Sequence, residues 1–542
     1  MNSSGVAAAQ PGFVLPGLPV SVDADAVITQ MCRRAHSPGF DSWWRRVESV
    51  GYCAHPIQLV GADMAGREHT VWTRCNNRRA AVCPSCADLY ARDTWQLVHA
   101  GAAGGHHDVP AQVATHPQVF TTLTAPGYGA VHNATDTTCH ARAPRGATQR
   151  CRHGNLLGCN VIHTVDDPAV GQPLCTDCYD YLGHVLFAWH LPELWRRFTI
   201  ALRRAITTHL KAIGLPTNSM RVSFVKVVEL QARAIPHIHA LIRLDPPGDL
   251  ATTTSGDHTD YSPAAARGGG EPRHDTRPPP GWSSPISATE LAVLIHQGAG
   301  RIRIDVPTGD SDSGGAVVRT LRFGTQIDTQ PLTPETATTA TESATDAPAS
   351  AGSSRLSPRR VAAYLAKYVT KSLHDFGITA RRLSVEAIAG LDVSEHVRAI
   401  LATIAELAEH GSTAVAGIGR WLHTLGYRGH ITTKSRHYST TMGALRAARA
   451  TWTRQQATKD ETQRNGTSAV GGMTGPDQRP HTLLDTNAVA WEFDCAGHAT
   501  AGERVLVISA ALRHIHARIT AIAETRSRTG NRWPPPPGGG DG

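Results

Sequence analysis

The stretch from Arg221 to Leu244 constrains this chain more than any other. Residues 221–228, Arg-Val-Ser-Phe-Val-Lys-Val-Val, are β-branched and aromatic and read as one strand. Residues 236–244 alternate, with Ile238, Ala240, Ile242 and Leu244 on one side and His237, His239 and Leu241 on the other, the pattern of a half-buried strand. Gln231 to Pro236 turns the chain back, so the two strands form a hairpin that sets the Glu229 carboxylate beside two imidazoles pointing the same way. Two neutral imidazole nitrogens and a carboxylate make a three-ligand divalent-metal site with open positions, able to polarise a phosphoryl oxygen without moving a proton. Taken alone, His-x-His fits equally well two histidines on a solvated strand face.

A second segment, Val361 to Ser372, has the pattern of an amphipathic helix. Tyr364 and Tyr368 share one face a turn apart, each followed three residues later by a lysine, Lys367 and Lys371, while Val361, Leu365 and Val369 form an apolar stripe. A phenol with its ordinary pKa of about 10 needs a nearby cation or an activated phosphate to act as a nucleophile. The plainer alternative is a pair of core aromatics with snorkelling lysines. Only six lysines occur in the chain, against a large excess of arginine, yet two of them lie here. A compact ammonium serves one oxygen or gives up a proton, which a guanidinium does not.

Eleven cysteines without a secretory leader point to thiols or metal ligands rather than disulfides. Cys75, Cys83 and Cys86 form a knuckle of the structural zinc type, with Cys53 preferred over Cys32 as fourth ligand. Cys151, Cys159, Cys175 and Cys178 give a second set with the spacing of a zinc ribbon, for which Cys139, His140 and His153 compete. The net charge of +8 and pI near 9.0 suit a polyanionic partner. Between Glu409 and Asp460 there is no acidic residue, and Arg428, Lys434, Arg436 and Arg446 alternate with aromatics including Tyr438, as in a surface that grips phosphates and stacks on unpaired bases. The absence of any Gly-Lys pair excludes a P-loop. No apolar run approaches membrane-spanning length, so the expectation is a cytoplasmic protein with no membrane partner.

Phe120-Thr-Thr-Leu-Thr124, the Pro236-His-Ile-His239 strand and the Tyr364–Lys371 helix, in this order, resemble the three motifs of HUH endonucleases. Within that superfamily the chain is similar to rolling-circle replication initiators of actinobacterial plasmids. The cysteine-rich stretches and Arg428-Gly-His through Lys434-Ser-Arg436 extend the likeness to most of residues 50–450. The resemblance implies an α+β fold with a five-stranded antiparallel HUH sheet flanked by helices, zinc-binding modules and a basic C-terminal helical region. It places the metal ligands at His237, His239 and Glu229, with Mg2+ or Mn2+ as the catalytic ion and Zn2+ as the structural one. The nucleophile helix falls on Tyr364 and Tyr368, the latter assigned the first cut, with Lys367 and Lys371 in support. The implied reaction nicks single-stranded plasmid origin DNA, leaving a 5′-phosphotyrosine and a 3′-OH for host polymerase, with a host helicase unwinding the duplex. A relaxase or single-strand transposase shares this chemistry, and a non-catalytic zinc-containing DNA-binding regulator is the alternative of another class.

The expected organisation is a flexible segment 1–45, a cysteine-rich module 46–110, and a catalytic domain 111–375 with an inserted zinc module 139–178 and disordered loops 245–285 and 328–357. A basic DNA-binding region 376–454 and a low-complexity stretch with a C-terminal element, 455–542, complete it.

Overall fold

The computed structural model describes residues 23–64, 66–140, 150–247, 282–308, 318–332, 356–370, 376–378, 383–467 and 489–528. The chain begins with α1 (Ala24–Ala35), α2 (Phe40–Ser49), β1 (Ile57–Ala62), β2 (Glu68–Thr73), α3 (Pro84–Ala103) and β3 (Gln118–Leu123). Next come α4 (Tyr181–Ala212), β4 (Arg221–Leu230), β5 (Pro236–Asp245), α5 (Ala288–Arg301), β6 (Ile304–Pro307), β7 (Val318–Leu321), β8 (Ile327–Pro331) and α6 (Pro358–Tyr368). The last elements are α7 (Glu395–His410), β9 (Thr432–Lys434), α8 (Met442–Thr467), β10 (Glu492–Ala496) and α9 (Ala501–Arg528).

The chain divides into two units. One takes the described residues of Met1–Thr94, Val369–His374 and Thr441–Gly542; the other those of Trp95–Tyr368 and Asp375–Thr440. In the first, β1 lies between β10 and β2 in a three-stranded antiparallel sheet. Helix α9 packs on α1 through Val505 and Val27, and its Ile508 joins Val50, Ala54 and the thiols of Cys53, Cys83 and Cys86 in one buried cluster. Residues Ala501–Thr525 of α9 are long and apolar enough to cross a membrane, contrary to expectation. Its first half is a core helix, however, with Val505, Val507, Ile508, Ala510 and Ala511 buried.

The second unit is organised by a five-stranded antiparallel sheet in the order β8-β3-β5-β4-β9. The hairpin is as the sequence implies: Glu229 pairs with His237 and Val227 with His239. Strand β5 is not half-solvated, though; every residue from Pro236 to Asp245 is buried. The reason is its central place and a second layer of helix. On the Ile238–Leu244 side, Phe224 packs against Trp195 of α4, and α5 lies on β3 and β8. On the histidine side lie α6 and the end of α3.

Two short strands lie where loops or helix were expected. Ile327–Pro331 pairs with β3, so residues 328–331 of the expected loop at 328–357 are strand. Thr432–Lys434 closes the other edge on Val225–Val227, drawing part of the supposed DNA-binding region into the sheet. Strands of three to five residues with mixed polarity carry too little period-2 signal to stand out. Residues 40–45, taken as flexible, open α2, and α8 runs through 455–467, where low complexity was expected. Residues 1–22, 248–281, 333–355 and 529–542 lie outside the described residues.

At the end of the sheet away from the histidines, Arg243 is buried and pairs with Asp245 through two hydrogen bonds of 2.6 and 2.9 Å. His116 Nδ1 lies 2.9 Å from the same carboxylate, and the guanidinium also donates to the Gly101 and Tyr438 carbonyls while stacking on the Tyr438 ring. Burial alone raises the Asp245 carboxyl pKa, but Arg243 and the hydrogen bonds override it and hold the group well below the usual range. A depressed folded-state value contributes stability above about pH 3.9 that is lost as pH falls toward the folded value. Asp245→Asn, which leaves a buried guanidinium uncompensated, is expected to cost roughly 3–5 kcal/mol, read as a lower urea midpoint with little change in slope.

Candidate active site

The sheet register decides which side chains meet. Because Glu229 and His237 are direct cross-strand partners and His239 is two residues further on the same face, their ligand atoms converge. His237 Nε2 is 3.2 Å and His239 Nε2 3.1 Å from Glu229 Oε2, and the two nitrogens are 2.8 Å apart. All three residues are buried. Octahedral ligation at about 2.0–2.1 Å sets adjacent ligand atoms about 3.0 Å apart, which these three distances match. A single shared proton satisfies only one of the three pairs, whereas one divalent cation satisfies all of them, so the residues fit a metal.

Strand β3 supplies a residue to which sequence reasoning gave no role. Thr122 is the cross-strand partner of His239, and its Oγ1 is 3.0 Å from His239 Nδ1. With Nε2 turned to the metal position, Nδ1–H donates to this hydroxyl and fixes the tautomer and ring orientation. The signal for it is period alone: Thr122 stands on the same face of β3 as Phe120.

Helix α6 brings the phenols to this face, with Val361, Ala362, Leu365 and Ala366 buried beneath it. The Tyr364 hydroxyl lies 3.4 Å from His239 Nε2. The Tyr368 ring stacks on His239 at 5.6 Å between centroids, the two phenol rings are 4.5 Å apart, and Phe120 meets both His239 and Tyr364. Burial, then Tyr368, then the Glu229 charge push the Tyr364 phenol well above its ordinary value. Lys367 is exposed, with Nζ 5.9 Å from the Tyr368 ring centroid. Lys371 lies outside the described residues.

The cysteines form three clusters. Cys53, Cys75, Cys83 and Cys86 come together as expected, with Cys53 Sγ 3.8 Å from Cys83 Sγ and 3.7 Å from Cys86 Sγ. Tetrahedral zinc with Zn–S near 2.3 Å requires edges of about 3.8 Å. Backbone N–H groups of Ala54 and Cys75 donate to the sulfurs of Cys83 and Cys53. The second expected set is corrected: Cys151, Cys175 and Cys178 meet His153, while Cys159 lies apart with His132, Cys139 and His163. Spacing alone joined two interleaved ligand sets, because Cys159 is held by a bridge to His140 that linear distance does not reveal.

The expected DNA-contacting residues separate as well. Arg428 and Arg436 are exposed, Arg428 lying 4.3 Å over the Trp189 ring, and Arg446 is exposed on α8 in the other unit. Tyr438 is fully buried, its hydroxyl donating to the Val98 carbonyl, and so is a core residue rather than a stacking platform. Lys434 folds back on the carbonyls of Ser435, Arg436 and Ser439, and burial lowers its pKa; it fastens the turn after β9.

The sequence pattern of the family described as RepSA, Replication initiator protein, pSAM2, matches residues 39–512. The chain belongs to this replication initiator family. A protein of Streptomyces ambofaciens described as "Replication initiator protein" is 32% identical to the initiator over 501 residues, covering 89% of this chain and 92% of that protein. No solved structure matches.

The triad and its support lead to a direct measurement. Thr122→Val in the initiator is expected to weaken Mn2+ binding by about 10- to 100-fold in calorimetric titration, and His239→Ala to abolish it. Unchanged affinity in both variants would remove the metal from this site.

Proposed function

We propose that this replication initiator acts at a plasmid origin by cutting one DNA strand itself, with a tyrosine of α6 as nucleophile and a divalent cation, Mg2+ or Mn2+, held by Glu229, His237 and His239. The observation that carries this reading is the Tyr364 hydroxyl standing 3.4 Å from an Nε2 that is itself a triad member. A partly exposed phenol beside two buried imidazoles and a buried carboxylate, on a basic, arginine-rich chain, suits phosphoryl transfer.

A bound cation at the triad supplies charge to polarise the scissile phosphate and to stabilise the departing oxygen. Everything else falls to the chain. Tyr364 Oη attacks phosphorus, a Tyr–O–P bond forms, and the P–O3′ bond breaks. The phenol proton passes to solvent, and the departing 3′ oxygen takes one up from solvent to end as a free 3′-OH for a host polymerase to extend. The phosphodiester is conserved as a 5′-phosphotyrosine and remains available for religation. His239, clamped between Thr122 and the rings of Phe120 and Tyr368, keeps its Nε2 on the triad. We take Tyr364 for the first cut, opposite to the sequence-based assignment, on the 3.4 Å approach of its hydroxyl to His239 Nε2. Tyr368, one turn on, is placed to accept a second strand transfer. Exposed Arg428 and Arg436 serve the phosphate backbone, and a host helicase opens the duplex.

Incubation of the full-length protein with Mn2+ and single-stranded oligonucleotides tiling the cognate origin, followed by peptide mass spectrometry, tests this. A nucleotide adduct is expected on Tyr364. Tyr364→Phe should lower the first cleavage by roughly 10^3-fold or more, Tyr368→Phe far less, and the double variant should form no adduct. Cleavage that persists in the double variant, with no tyrosine adduct, would eliminate the proposal.

A further inference from the structure

We propose that His132, Cys139, Cys159 and His163 hold a zinc ion of their own, so that the segment between β3 and α4 carries two zinc ions rather than one. Their ligand atoms all lie within 4.8 Å of one another, and three separations are close to tetrahedral edges. His132 Nδ1 is 3.1 Å from His163 Nε2 and 3.8 Å from Cys139 Sγ, and His163 Nε2 is 3.3 Å from Cys159 Sγ. Zinc with nitrogen at about 2.0–2.1 Å and sulfur at about 2.3 Å calls for about 3.4 Å between nitrogens and about 3.6 Å between nitrogen and sulfur. Two thiolates and two neutral imidazoles also balance the charge of Zn2+, which suits the buried positions of Cys139 and His163.

The surroundings are those of a built metal site. His163 turns Nδ1 to Asp167 Oδ2 at 2.6 Å, the carboxylate behind a histidine ligand that fixes which nitrogen faces the ion. The other oxygen of Asp167 accepts from the Ala169 N–H at 2.8 Å, so that support is itself anchored. The Asn133 N–H donates to Cys139 Sγ at 3.2 Å, as backbone amides do to ligating sulfur. Reciprocal hydrogen bonds of 2.9 Å between His140 and Cys159 bring the two cysteines together across twenty residues of sequence. Meanwhile Val161, Ile162 and Val165 are exposed, so this stretch has little apolar burial to fold around, the situation in which a metal supplies the folding energy.

The site also bears on the hairpin. His132 exchanges backbone hydrogen bonds with Gly171 and Gln172, of 2.8 and 2.9 Å. Gly171, at φ +86°, lies against the Ala232–Arg233 peptide in the β4–β5 connection, where a Cβ would fall 2.4 Å from the Ala232 carbonyl oxygen. Zinc at His132 thus braces the turn that joins the strands of Glu229 and His237. The zinc assignment itself does not depend on the proposed nicking.

Zinc-loaded full-length protein, dialysed against metal-free buffer, is alkylated with iodoacetamide before and after zinc is stripped by a chelator, and modification of Cys139 and Cys159 is read by peptide mass spectrometry alongside total zinc. Both cysteines are expected to react at least roughly tenfold more slowly in the loaded protein. Cys139→Ser/Cys159→Ser should lose one zinc per chain, and Cys151→Ser/Cys175→Ser should lose a different one while leaving Cys159 protected. Equal alkylation of Cys159 with and without zinc overturns the proposal, as does an unchanged zinc content in the folded Cys139→Ser/Cys159→Ser variant. Should that variant not fold, the alkylation of the wild-type chain decides alone.

Discussion

The antiparallel register of β4 and β5 is the constraint on which the candidate site rests. Glu229 faces His237 across one pair and His239 stands two residues on, so the three ligand atoms meet only in this alignment. A slip of one residue would turn both imidazoles toward the α4 layer and Ile238 and Ala240 toward α6. The burial of β5 on both faces guards against that slip, since it would bring histidine and arginine among Phe224 and Trp195. Polar side chains on the strand find partners in Thr122 for His239, Asp245 for Arg243 and Glu229 for both histidines, while His237 Nδ1 is buried without a hydrogen-bond partner among the described residues.

The electrostatics of the pocket follow from that crowding. Desolvation, Tyr368 and the negative charge of Glu229 all hold the Tyr364 phenol in its neutral form. The carboxylate that faces both imidazoles is therefore the one whose charge opposes ionisation of the Tyr364 phenol. On the proposed reading, a cation that neutralises Glu229 would lift that opposition, linking ionisation of Tyr364 to occupancy of the triad by Coulomb interaction.

Much of this arrangement is legible in the sequence, for physical reasons. The hairpin shows itself because β-branched residues and a period of two are strong local signals, and the phenol pair because a spacing of four fixes a shared helix face. The Cys53, Cys75, Cys83 and Cys86 set is legible because its knuckle is local. Where long-range pairing decides, the signal fades. Strands β8 and β9 are short edges recruited by neighbours far away in the chain. Tyr438, set among arginines, resembles a base-stacking ring until Arg243 and Val98 are seen to enclose it. Cys159 lies in sequence between the ligands of one cluster and in space within another. The role of Thr122 likewise appears only once β3 is known to lie beside β5.

The two phenols of α6 are not equivalent, although the sequence presents them as a repeat. Tyr364 points its hydroxyl at the triad and is more than one-third exposed, at 39%. Tyr368 lays its ring flat along His239 and has Lys367 over its own face. Their ring centroids nevertheless lie 4.5 Å apart, tilted at 61°, so the two side chains share one face of α6 beside the triad. On the proposed reading, two successive strand transfers at a single triad would use phenols whose rings pack together, and α6, seated through Val361, Leu365 and Ala366, holds both beside it.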